Sequence, residues 1–176
     1  VLNTRDEFSL SFRVSHHVRA KKMRLYKNST YLNFGQVNIF NTSGKNLTNQ
    51  SNGLVESVTQ SSTYNGYDAD NAINGIWSHT VGDFSHTNNT LNPEWWQVTF
   101  TSEHDIAYYE IYNRMHSAFD DDRINGVTVE LYDASNNVVY SKVISGYKTP
   151  ETAPFKDRPM TNTTGKIIQI YGNEGE

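Results

Sequence analysis

Short runs of alternating apolar and polar residues fill most of this chain, and they predict strands far more often than helices. Phe8, Leu10, Phe12 and Val14 alternate with Ser9, Ser11 and Arg13, the period of a strand with one face in a core. His16-His17 and Arg19-Ala20-Lys21-Lys22 interrupt that rhythm and read as a solvated turn, after which Met23 to Tyr26 resumes it. From Tyr31 to Phe40 the apolar phase moves from even to odd positions across Gly35-Gln36, and a slip at a glycine predicts a bulge.

Further strands are predicted at Val55–Gln60, at Trp96 to Phe100 behind Pro93, at Ile106–Tyr112, at Val127–Leu131 and at Val138–Ile144. A turn at Asp133–Asn137 makes a hairpin of the last two. Thr42–Asn52 reads as a polar loop, and Gly146–Asn162, with Pro150, Pro154 and Pro159, as a long irregular connection. Of the two adjacent tryptophans, Trp96 is assigned to the core with Val98 and Phe100, and Trp95 to the surface on the side of the binding loops. Many short strands with polar turns and almost no helical period predict an all-β jelly-roll β-sandwich.

Composition narrows the partners. A chain of 176 residues is long enough for one well-buried core. Its net charge of -4 and pI of about 5.8 give no basic field for nucleic acid or an anionic membrane, and no apolar run is long enough to insert in a bilayer. With zero cysteines there is no disulfide framework. The Asn-x-Ser/Thr pattern at Asn28, Asn41, Asn46, Asn49, Asn88 and Asn162 points outward, to an extracellular, cell-surface or virion-surface glycoprotein. The start, Val1 to Asp6, is unlike a signal peptide and is expected to belong to a mature or excised piece, or to a cytosolic chain.

A set of motifs carries a more specific signal. Ser61-Ser62-Thr63-Tyr64, Ala69-Asp70-Asn71-Ala72-Ile73-Asn74-Gly75, Ser85-His86-Thr87-Asn88, Pro93-Glu94-Trp95-Trp96-Gln97-Val98, Asn113-Arg114 and Asp122-Arg123-Ile124-Asn125-Gly126 follow one another in this order. The order resembles that of F-type lectins (fucolectins), within the discoidin-like, galactose-binding-domain superfamily. Tyr31–Phe40 resembles the closing strand of such modules, and Lys166–Asn173 the strand before it, with a fainter copy at Met23–Asn28. Residues 1–44 are therefore read as N-terminal strands resembling the end of a module, and 45–176 as a lectin-like module. Either the N-terminal strands complete the sandwich, or the chain is cut from a tandem array.

The resemblance implies a sugar site and a structural cation. Fucose recognition in the family uses a His-Arg-Arg constellation, matched here by His86, Arg114 and Arg123. Two arginine forks and an imidazole suit hydroxyls, which both accept and donate. The family's Gly-Asp and paired cysteines are missing between the arginines, and Phe119, Trp77 or Tyr64 is the candidate apolar platform in place of that disulfide. Asp120, Asp121 or Asp122 stands for the aspartate that braces the first arginine. A structural Ca²⁺ would be held by side chains of Asn71, Asn74, Asp83 and Gln36 and by carbonyls of Ile76 and Gly35. Asn74 and Gln36 replace acids of the family, which lowers the ligand charge.

Catalysis finds little support. Ser78-His79 and Ser85-His86 are adjacent pairs, which point to opposite faces of an extended chain. Asp120 to Asp122 near Glu130 reads as a solvated acidic loop rather than a hydrolytic carboxylate pair. The expectation is a non-catalytic module recognising fucose or a related monosaccharide on glycans, one unit of a larger adhesive protein, in tandem or as an oligomer. The competing reading is a structural or protein-binding discoidin-like module without a sugar site.

Overall fold

A computed structural model of the chain describes residues 10–28, 30–78, 83–114, 123–147 and 153–167, with side chains described only from residue 16 to residue 161 within these ranges. Nine strands follow in order: β1 (Leu10–Lys27), β2 (Asn33–Asn41), β3 (Val55–Gln60), β4 (Ser85–His86), β5 (Glu94–Asn113), β6 (Thr128–Tyr132), β7 (Val138–Val143), β8 (Phe155–Asp157) and β9 (Met160–Ile167). Every pairing is antiparallel. Short 3₁₀ turns at Gln50–Asn52 and Ala69–Ile73 are the only helical pieces among the described residues.

Two long strands build the sandwich by changing partners along their length. The first half of β5 lies between β3 and the second half of β1, whose far edge carries β6 and then β7. Its second half lies beside β2, which carries β4, and also pairs with β8. The first half of β1 pairs with β9. Trp96, Val98 and Phe100 fill the core, each at most 1% exposed, with Met23, Leu25, Phe34, Val37 and Ile39.

The basic cluster is not a turn. β1 runs straight through it, because Val18 and Ala20 point inward while Arg19 and Lys21 point outward and meet Glu103 at 3.2 Å and Glu56 at 3.1 Å. The apolar phase then changes from even (Val18, Ala20) to odd (Met23, Leu25), and the register shift between Ala20 and Lys22 absorbs that slip. In β2 the slip between Phe34 and Gln36 is the bulge that the sequence predicts. The strands predicted at 96–100 and 106–112 are one continuous β5, since Thr101–Asp105 crosses between sheets without leaving extended conformation. The connection predicted to be irregular contains β8 and the start of β9. Of the predicted strand at 166–173, residues 168–173 lie outside the described residues.

Candidate functional site

β4 adds to the edge of β2 by pairing Asn33 with His86 and Phe34 with Ser85. Phe34 faces the core, its ring 6.3 Å from that of Trp96. Alternation therefore turns Asn33, His86 and Phe84 to the opposite face. Phe34 also opposes Asn113 of β5, so Arg114, the next residue, continues that strand beside Asn33.

His86 is 7% exposed and lies within β4. Aromatic rings surround it: Tyr64 at 5.1 Å, Tyr31 at 5.3 Å, Tyr67 at 6.1 Å and Phe84 at 6.3 Å between centroids. Its Nδ1 lies 2.6 Å from the Thr87 carbonyl. A carbonyl only accepts, so Nδ1 carries the proton, and in the neutral ring Nε2 is the acceptor. The backbone around it is stitched to the Tyr64–Tyr67 turn: Tyr64 N donates to His86 O at 3.0 Å and His86 N to Tyr67 O at 3.2 Å.

The guanidinium of Arg114 lies 4.4 Å from the Phe84 ring, a cation–π stack on the aromatic group that also borders His86. Trp77 buttresses this end of β5. Its Nε1 donates to the Asn113 carbonyl at 3.1 Å, its ring lies 4.9 Å from Tyr112, and it occupies the space above Gly35, where an added Cβ would come within 2.6 Å of Trp77 Cδ1. Tyr64 keeps 40% of its surface exposed and so combines contact with His86 and access from solvent. The carbonyl of Arg123 accepts from Lys27 Nζ at 3.0 Å. Phe119 and Asp120 to Asp122 lie outside the described residues. Trp95 is half-buried against β1, with the Arg24 guanidinium 4.9 Å from its ring.

The loop that carries Tyr64 is held from below by Glu94. This carboxylate is fully buried and accepts from Ser61 Oγ, from Ser62 Oγ at 2.8 Å and from Leu91 N at 2.9 Å. Burial pushes its pKa up, but the hydrogen bonds outweigh that and hold it below the ordinary value. Ser62 Oγ in turn accepts from Asn88 N at 2.8 Å, which ties the loop to the segment after His86.

Of the side chains expected to hold Ca²⁺, those of Gln36, Asn74 and Asp83 each accept a hydrogen bond. Gln36 Oε1 accepts from Gly75 N at 3.2 Å and Asn74 Oδ1 from Ile76 N at 2.7 Å. Asp83 accepts from Ser78, and Asn71 donates to the Phe84 carbonyl at 3.4 Å. Asp83 is the one carboxylate of the set, and no group of three or more His, Cys, Asp or Glu side chains comes together among the described residues. A donor set of one charge, in which the Gln36, Asn74 and Asp83 side chains already accept from N–H or O–H groups, fits poorly a hard cation that prefers six to eight oxygens. It fits a hydrogen-bonded clamp between β2 and the loop.

Sequence reasoning missed Tyr31, Asn33, Tyr67 and Phe84. Phe84 was legible as the alternate-position neighbour of His86; the others come close only through the pairing of β2 with β4.

No helix among the described residues is long and apolar enough to cross a membrane. Neither the curated proteins nor the solved structures include a significant match to the chain. The model of the F5/8 type C domain matches residues 57–176. Its members are carbohydrate- or protein-binding modules, generally without catalytic activity, and are typical of extracellular or surface proteins. With this match over most of its length and its antiparallel β-sandwich, the chain belongs to the F5/8 type C, or discoidin-like, family.

Proposed function

We propose that the chain is a carbohydrate-binding module whose site is formed by His86, Arg114 and Arg123, with Tyr64 as the exposed aromatic wall. The observation that carries this reading is the stack of Arg114 on Phe84, 4.4 Å away, within the aromatic group around His86. A cation and an imidazole held against rings offer directional hydrogen bonds to hydroxyls beside surfaces for sugar C–H groups. Trp77 buttresses the end of β5 that leads to Arg114, and Phe119 lies between the two arginines in the sequence. Fucose is the leading monosaccharide on resemblance, presented on glycans at a cell or virion surface. A single such site binds weakly, and tandem modules or an oligomer would raise avidity.

Titration calorimetry with L-fucose and D-galactose, with Ca²⁺ and again with EDTA, tests this. Saturable binding of either sugar, lost in Arg114→Ala, supports the reading; silence from folded protein toward both overturns it for these sugars. The protein-binding alternative draws on Leu91 and Ile76, apolar side chains 51% and 48% exposed on loops. Binding to protein partners that survives Arg114→Ala but not Leu91→Asp would favour it.

A further inference from the structure

We infer that Asn33 is a ligand-contacting residue of the proposed site and reads a pair of adjacent hydroxyls on a neutral sugar; this rests on the carbohydrate reading above. Asn33 lies in β2, outside the matched residues 57–176, so the family match assigns it nothing. It is 3% exposed, yet neither its Nδ2 nor its Oδ1 has a hydrogen-bond partner. Buried polar atoms nearly always find partners, and an amide with both ends unsatisfied is a conspicuous exception. An apolar residue of similar size would avoid that penalty if packing were the only requirement at this position.

Its place in the fold says what the amide faces. Asn33 pairs with His86 on one side. On the other side the Phe34–Asn113 pair puts Arg114 next to it. Phe34 points to Trp96 and the core, so Asn33 shares the opposite face with His86, Phe84 and Arg114. The amide thus lies on β2 between His86 of β4 and the end of β5, which Arg114 follows. Tyr31 and Tyr64, 37% and 40% exposed, flank His86 on the solvent side.

The chemistry selects the ligand class. Arginine only donates, and the His86 Nδ1 proton is directed to the Thr87 carbonyl. An amide supplies one acceptor and two N–H donors side by side, matching two neighbouring hydroxyls of which one donates and the other accepts. An ionised sugar carboxylate has acceptors alone and would leave Oδ1 facing another oxygen lone pair. Vicinal hydroxyls, rather than a carboxylate, are therefore the groups that this amide suits.

The test uses the full chain, Asn33→Ala, Asn33→Ser and calorimetry with L-fucose, D-galactose and D-glucuronate, beside thermal melts. The expected result is neutral-sugar binding weakened about tenfold or more by Asn33→Ala, the scale of one or two lost hydrogen bonds, with glucuronate bound less well than either neutral sugar by wild type. Melting temperature should hold or rise, because two unsatisfied buried atoms are removed. Asn33→Ser keeps a hydroxyl and stays folded if the alanine variant does not; wild-type affinity in it overturns the inference. Wild-type binding unchanged in Asn33→Ala overturns this inference alone, and shows an amide satisfied by buried water only. Wild-type silence toward all three sugars overturns the carbohydrate reading and this one with it.

Discussion

Glu94, the first residue of β5, is completely buried and accepts hydrogen bonds from both Ser61 and Ser62. The contact matters because Tyr64 is carried by the same loop. Glu94→Ala should destabilise the fold by about 3 kcal/mol, since it strips several buried donors of their acceptor. Glu94→Gln should cost about 2 kcal/mol, its amide N–H₂ facing groups that also donate. The sign with pH follows from the depressed pKa: the contribution is whole above the ordinary carboxyl value of 4.5 and is lost as pH falls through the lower folded value. Urea melts from pH 7 to pH 3 on wild type and Glu94→Gln check this, and equal slopes for the two would refute it.

Gln36 joins β2 to the loop after the Ala69–Ile73 turn, through Gly75 N on its Oε1 and Asn38 Oδ1 on its Nε2 at 3.1 Å. Gln36→Ala should therefore lower stability by about 1–2 kcal/mol. Because the surrounding donors are engaged with one another, EDTA should leave the melting temperature of the wild-type protein unchanged. A rise of several degrees on adding millimolar Ca²⁺ would instead show that the loop rearranges around a cation.

How much of this was legible in the residues varies with the range of the interaction. Val55–Gln60, the core role of Trp96 and the bulge at Gly35-Gln36 follow from period and phase, which are local. The error at Arg19–Lys22 came from weighing charge above phase: in a half-buried strand the outward positions are free to be basic, and Val18 and Ala20 still alternated inward. His86 and Arg114 were found by motif, but the burial of His86 depends on β2, far away in sequence. Asn33 gave no local sign at all, since an asparagine before an apolar strand reads as an ordinary turn residue.

Asp157 on β8 gathers Tyr140, Lys142 Nζ at 2.6 Å and Tyr109 Oη at 3.1 Å. Burial pushes the Tyr109 phenol far above its ordinary value, with Tyr140 and Asp157 adding to the rise. A raised phenol stabilises the fold fully below its unfolded value of 10.0, and that contribution declines as pH climbs beyond it. Tyr109→Phe should cost about 1 kcal/mol at pH 7 and flatten the loss of stability between pH 9 and pH 11, as read by urea denaturation at each pH.

Arg114 stacks on Phe84, which is 2% exposed, so Arg114→Ala should lose about 1 kcal/mol of stability along with sugar binding. Arg114→Lys keeps the charge without the planar fork and should retain the fold while binding at least tenfold more weakly. Arg123 also lends its backbone carbonyl to Lys27, a contact that substitution leaves in place. Arg123→Ala should weaken sugar binding, and binding unchanged by calorimetry would remove its side chain from the proposed site.

The strongest expectation concerns the N-terminal strands. The second half of β1 is the partner of β5 on one side and β6 on the other, and β2 lies between β5 and β4. Together they place Val18, Ala20, Met23, Leu25, Phe34, Val37 and Ile39 in the core, each no more than 2% exposed. Burying a side chain of that kind contributes about 1.5–3 kcal/mol for the larger ones, and the sum exceeds roughly 10 kcal/mol, comparable to the whole stability of a domain. Removal would also open the edges of β5, β6 and β4 at once. A chain of residues 42–176, although it keeps the whole of the family match, should fail to fold, giving no cooperative melt and poorly dispersed NMR amide signals. A cooperative melt from that fragment would mean that β5 and β6 can close on each other without β1, and that these N-terminal strands are an addition to the module rather than the middle of its sheet.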